Sequence, residues 1–157
     1  MRGVLAILGL TLVAACSSSS QPAFTTGTAS VDPTYYCPGG ANNAPYDLHA
    51  TVHVHNGTGR AVTVDSVTAQ MTVASVKGAW LEKVGDRYNA GDAKFAPATI
   101  AAGGSAALNV TIPSACTSGK YGSGTSSSAD YTVTIRLATS AGSFSVTAGN
   151  QHEIVAD

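Results

Sequence analysis

Tyr131-Thr132-Val133-Thr134-Ile135-Arg136-Leu137 is the stretch that decides the fold. Every second residue is large and apolar, and the residues between are polar. A strand sends successive side chains to opposite faces, so this period of two describes a strand with one face buried. β-Branched and aromatic side chains suit that pleated, half-buried surface. Just downstream, Thr139-Ser140-Ala141-Gly142 supplies turn chemistry and returns the chain into Phe144-Ser145-Val146-Thr147-Ala148. That is a hairpin pattern. A short last strand includes Ile154 and Val155.

The same alternation recurs upstream. Leu48, Ala50, Val52 and Val54 share one face of a strand, and His49, Thr51, His53 and His55 share the other. Asn56-Gly57-Thr58-Gly59 follows as a turn. Val62 and Val64 then point inward, as do Val67, Ala69, Met71 and Val73. The phase slips between the two sets, which predicts a bulge near Asp65 and Ser66. Leu108, Val110 and Ile112 alternate with Asn109 and Thr111, and Pro113 is expected to end that strand. Residues 76–84 fit a strand or a loop, with Trp80 at the edge of the core. Residues 85–93 read as a loop. Thr117 to Asp130, rich in Gly and Ser, reads as a mobile connection. No segment of helical length carries a 3.6 period, and no internal repeat is present.

Four places in this pattern resemble bacterial immunoglobulin-like modules: Val52 to Gly57, Ile100 to Ser105, Ala129 to Val133, and Phe144 to Ala148. The resemblance covers about 110 residues from Tyr46 onward. It implies an all-β chain forming a single immunoglobulin-like β-sandwich of about seven strands. It also places Tyr131 at the tyrosine-corner position, with Val133 where antibody domains carry their second cysteine.

The amino terminus reads differently. Residues 4–15 are apolar and follow a single arginine, Arg2. This run is too short to span about 30 Å of hydrocarbon, which takes about 20 helical residues. It has the length of a signal-peptide core. Leu12-Val13-Ala14-Ala15-Cys16 resembles the lipobox of bacterial lipoproteins. The resemblance implies cleavage before Cys16, lipid on its sulfur, and a chain anchored to a membrane in the cell envelope, facing the periplasm or the exterior. An ordinary secretory signal cut elsewhere is the alternative. Ser17-Ser18-Ser19-Ser20-Gln21-Pro22 is a polar tether with nothing to bury, and disorder is expected to about Pro33. The domain organisation expected is therefore a signal peptide at 1–15, a lipidated tether at 16–34 and the sandwich at 35–157. With Cys16 lipidated, Cys37 and Cys116 remain, an even pair in an oxidising compartment. A disulfide between them is the natural inference, and a free thiol is its rival.

Charge excludes some functions. The chain carries 8 Lys or Arg against 9 Asp or Glu. Loss of Arg2 with the signal makes the remainder slightly more acidic. No basic cluster offers a nucleic-acid footprint. No Gly-x-Ser-x-Gly elbow follows a strand, and nothing pairs the two glutamates, Glu82 and Glu153, as glycosidase chemistry requires.

Two constellations invite chemistry. His53 and His55 lie two apart on one strand face, about 7 Å from each other. They could share a copper or zinc ion, with Asp65 as a third ligand by a simple hairpin register. The same histidines also suit solvent-facing strand positions without any metal. Asp86, Asn89 and Asp92 offer oxygen ligands for Ca²⁺ but match no established loop spacing. Tyr35, Tyr36, Tyr46, Tyr88 and Tyr121 fall outside the core alternation, either as recognition residues or as seals on the ends of the sandwich. Two functions follow. One is a lipid-anchored, non-catalytic envelope domain that binds another envelope protein or a glycan, with no resident cofactor. The other is an envelope copper- or zinc-binding protein using His53 and His55.

Overall fold

The computed structural model describes residues 23–118 and 127–156. The chain is all-β, and two sheets pack face to face around one core. Eleven strand segments are described: β1 (Phe24–Val31), β2 (Thr34–Cys37), β3 (Ala44–Asn56), β4 (Val62–Lys77), β5 (Arg87–Asp92), β6 (Lys94–Ala96), β7 (Thr99–Ile100), β8 (Ser105–Cys116), β9 (Ser127–Thr139), β10 (Gly142–Thr147) and β11 (His152–Ala156). One sheet has the order β1-β3-β8-β6. The other runs β2-β11-β9-β4-β5, with β10 also on β9 and β7 on β4.

The alternations account for the core. Leu48, Ala50, Val52 and Val54 of β3 are buried against Val67, Ala69, Met71 and Val73 of β4, with Leu108, Val110 and Ile112 of β8 and Tyr131, Val133, Ile135 and Leu137 of β9. The predicted bulge exists: the β4–β9 register shifts between Val64 and Ser66. The two-residue turn at Ser140 and Ala141 closes the β9–β10 hairpin. Asn56 is fully buried. Its Nδ2 reaches the carbonyls of Arg60, Ile100 and Ala101, and its Oδ1 accepts from the Thr58 amide. Gly57 follows because a Cβ there would sit 2.9 Å from the Ala23 carbonyl oxygen.

Several expectations need correction. The tether was expected to be disordered to Pro33, yet β1 lies within it, antiparallel to β3. Phe24, Ala29 and Val31 are buried, and Phe24 meets Phe144 at 4.9 Å between ring centroids. The sandwich therefore begins by Phe24, ahead of residue 35. A bulge between Thr26 and Ala29 breaks the phase of the apolar residues, so no alternation shows in the sequence. Residues 85–93, read as a loop, contain β5, an edge strand with Ala90 as its one buried residue. Of Thr117 to Asp130, Ser127 to Asp130 belong to β9, and 119–126 lie outside the described residues. The strand count rises from about seven because β1, β2, β5, β6 and β7 are short or lack alternation.

Pro113 does not end its strand; β8 continues to Cys116. The register gives the reason. The Asn56 amide donates to the Gly104 carbonyl, and the β3–β8 pairing runs without a shift from His55–Ser105 to Ala44–Cys116. Antiparallel strands alternate which side each residue's backbone groups face. Even-numbered residues of β8 thus bond to β3, and odd-numbered ones face the other side. The missing N–H of Pro113 faces away from β3, where a proline is tolerated.

Cys37 and Cys116 form a disulfide with a Cα–Cα distance of 6.0 Å. It joins the end of β2 in one sheet to the end of β8 in the other, clamping the two layers at one end of the sandwich. The lipobox and Cys16 lie outside the described residues. No helix among the described residues is long and apolar enough to cross a membrane.

Candidate functional site: an open seam between the sheets

Both long edges of the sandwich are closed by chain crossing between sheets. On one side β1 leads through Asp32 and Pro33 into β2. The Asn150 side chain stitches that crossing by accepting from the Val31 amide and donating to its carbonyl. On the other side β5 leads into β6 through Ala93, whose amide donates to the Val67 carbonyl. But β6 is only three residues long and covers β8 only at Asn109, Val110 and Thr111. Beyond Thr111, β8 has no hydrogen-bonded strand on that side among the described residues. The backbone groups left there without a partner among the described residues are the Pro113 carbonyl and the amide and carbonyl of Ala115.

A cleft of about 220 Å³ opens next to this bare edge. Met71, Tyr131 and Ile154 line it from one sheet, and Ser114, Ala115 and Cys116 from the other. Trp80, Leu81 and Glu82 of the β4–β5 connection and Tyr88 of β5 also line it. Leu81 is 59% exposed and Tyr88 41%, and Val84 of the same connection is exposed as well. Among the described residues, three of the four large apolar side chains left in solvent thus belong to this cleft or to the connection beside it.

Its polar groups are fixed. The Tyr131 hydroxyl donates to Glu82 Oε2. Trp80 Nε1 donates to the Tyr131 oxygen at 3.0 Å and to Glu82 Oε2 at 3.3 Å. Burial, and then donation to the Glu82 carboxylate, push the Tyr131 hydroxyl well above the usual tyrosine range. Tyr131 therefore stays a neutral donor. This corrects the tyrosine-corner expectation, since a corner hydroxyl bonds upstream backbone, whereas this one is spent on a side chain of the β4–β5 connection. Trp80 sits at the core edge as expected.

Two half-buried tyrosines and the buried His152 form a further group. Tyr35 stacks on Tyr46 at 3.8 Å, and Tyr46 Oη is 3.0 Å from His152 Nε2. His152 Nδ1 is 2.7 Å from the Asp32 carbonyl oxygen. A carbonyl only accepts, so Nδ1 carries the proton and Nε2 accepts from Tyr46. Burial lowers the His152 pKa, partly offset by Asp32. Burial likewise raises the Tyr46 hydroxyl to about 12. Neither is poised as a base or a nucleophile at neutral pH.

The histidine pair of the sequence reading lies elsewhere. His53 and His55 are on the exposed face of β3, across from Ala107 and Ser105 of β8. Asp65 does not join them. β3 and β4 belong to different sheets, so the hairpin register that would bring Asp65 alongside does not exist. Among the described residues, no group of three His, Cys, Asp or Glu is placed to hold a metal ion. His55 Nδ1 contacts Ser105 Oγ at 3.0 Å, and its Nε2 lies over Gly57 rather than a carboxylate. His49 instead pairs with Asp32. The calcium constellation is also dispersed. Asp86 Oδ2 accepts from the Lys83 amide and Asn89 Oδ1 from Gln70 Nε2. Of the loop tyrosines, Tyr35 and Tyr46 are half-buried against the core, Tyr36 is exposed, and Tyr121 lies outside the described residues.

Sequence reasoning missed the cleft because its parts come from segments as far apart along the chain as Met71 and Ile154. The one local signal was the apolar content of Trp80, Leu81 and Val84 in a connection that has no alternation.

No protein-family model matches the chain, and no curated protein matches it. Among solved structures, it is similar to AggA, the major subunit of aggregative adherence fimbriae type I from Escherichia coli. The identity is 10% and the TM-score 0.36, covering 85% of this chain and 95% of that one. It is also similar to the ASH/PapD-like domain of human CEP192 (PapD-like domain 7). There the identity is 11% and the TM-score 0.32, covering 95% of this chain and 97% of that one. Values of this size assign no function to the chain.

Proposed function

We propose that this protein is a lipid-anchored, non-catalytic binding domain of the cell envelope, and that it captures an extended segment of another envelope protein on the open edge of β8. The anchoring rests on Leu12 to Cys16 and the serine tether. The observation that carries the binding role is the coincidence of a bare strand edge with an apolar cleft. Ala115 offers a partner strand an amide and a carbonyl that pair with no strand among the described residues, and the cleft beside it offers apolar contact. Strand addition uses both, backbone pairing for affinity and a pocket for side-chain choice. The non-catalytic character is supported by the cleft chemistry. Among its hydroxyls are Tyr131, bonded and of raised pKa, Ser114, whose Oγ lies 3.9 Å from Met71 Sδ, and Thr117, whose Oγ1 accepts from the Asn43 amide.

The test is selection of binders from a displayed library of random decapeptides, using the domain from Gln21 onward. Bound peptides are then mapped by amide chemical shifts. The expected result is enriched peptides that perturb 112–117 and 80–88. Failure to enrich any peptide, or perturbation confined to the β1 edge or the His53–His55 face, would overturn the proposal. The domain would then be tested against glycans.

A further inference from the structure

We infer that the side chain seated in this cleft is cationic, a lysine or arginine of the partner strand held by the Glu82 carboxylate. The inference rests on the strand-addition reading above and adds the chemistry of what is recognised. Residues directly opposite on paired strands point to the same face. Ser114 points inward and is buried. The residue of an added strand opposite Ser114 therefore points into the cleft, toward Met71, Trp80 and Tyr131.

Glu82 is the only charged residue among the described residues that line that space. Its Oε2 takes the bonds from Tyr131 and Trp80. Among the described residues no cation pairs with it; the ion pairs there are His49–Asp32 and Lys77–Glu153. Lys83 and Arg87 are its neighbours in sequence but line no part of the cleft. A carboxylate fixed by two donors, set among aromatic rings and lacking a counter-charge among the described residues, complements a cation on an apolar stem. Lysine and arginine bury such stems while presenting the charge at the tip, and the faces of Trp80 and Tyr88 add cation–π attraction. A purely aliphatic side chain would fill the space but leave the carboxylate without its ion pair.

The experiment uses decapeptides enriched on the wild-type domain. They should carry Lys or Arg at one fixed register. Replacing that residue by norleucine keeps the stem and removes the charge, and should weaken binding about tenfold or more, as expected for a charge-assisted bond. On a Glu82→Gln domain the two peptides should bind within about threefold of each other, the residue being lost charge pairing. Equal binding of the two peptides to wild type would overturn the inference and leave strand addition standing. Enrichment of peptides with no basic residue would do the same. If no peptide is enriched, both readings fall. The norleucine comparison is made on the unaltered protein, so it holds even where Glu82→Gln perturbs folding.

Discussion

Tyr131 and Glu82, 49 positions apart, are joined hydroxyl to carboxylate, and that bond ties the β4–β5 connection to β9. The connection carries Trp80 and Leu81 over the cleft, so this one contact shapes the site. Tyr131→Phe removes the donor and leaves the ring in place. Hydrogen bonds to charged groups contribute about 1.5–3 kcal/mol; the half-exposed Glu82 places the loss toward the lower end. Chemical denaturation should show that decrease, and Trp80 fluorescence should shift red as the connection loosens.

His152 makes stability depend on pH. Its folded pKa is lowered from 6.5 by burial. Below about 6.5 the unfolded chain binds a proton that the folded chain does not. The stabilisation is therefore complete above that pH and is lost as pH falls toward the lower, folded value. Melting temperature should decline on acidification below about 6.5. In His152→Asn, which keeps a donor for the Asp32 carbonyl, that slope should flatten.

The first strand belongs to the sandwich. A chain beginning at Tyr35 lacks Phe24, Ala29 and Val31 and exposes the β3 edge. Losing a buried phenylalanine alone costs about 3–5 kcal/mol. Such a chain should fail to show a cooperative transition by circular dichroism, whereas one beginning at Gln21 should melt cooperatively.

The disulfide clamps a loop of long span, with a sequence separation of 79. A Cys37→Ser, Cys116→Ser chain should lose roughly 4 kcal/mol by the chain-entropy account. Urea denaturation of the oxidised and substituted proteins measures it.

Ala115→Pro removes the last free amide on the open edge. That amide bonds to no strand among the described residues, so the cost to stability should stay within about 1 kcal/mol. Strand addition should be abolished, because the edge would then lack its donor. Calorimetric titration with an enriched decapeptide, beside a denaturation curve, separates the two effects.

The long strands were legible because each buries one face. Leu48 to Val54, Val67 to Val73 and Tyr131 to Leu137 wrote their burial into a period of two, and the slip at Asp65–Ser66 wrote the bulge. What stayed illegible has a physical reason in each case. Phe24, Ala29 and Val31 are out of phase because of a bulge. Arg87–Asp92 buries only Ala90, so an edge strand looks like a loop. Pro113 looked like a terminator because sequence does not tell which side of β8 lacks a partner. Asp65 looked like a neighbour of His53 because consecutive strands often pair, and here the chain crosses to the other sheet. The cleft was hidden most completely, since Trp80, Glu82, Tyr88, Ser114 and Tyr131 meet only through tertiary packing.

The open edge of β8 is the claim on which the rest depends, and hydrogen exchange at Ala115 tests it most directly. Ile112 and Ser114 face β3 and should exchange slowly. The Ala115 amide should exchange fast in the free protein and become protected when an enriched decapeptide binds. An Ala115 amide as slow as its neighbours in the free protein would mean that the edge is already covered, and would contradict the account.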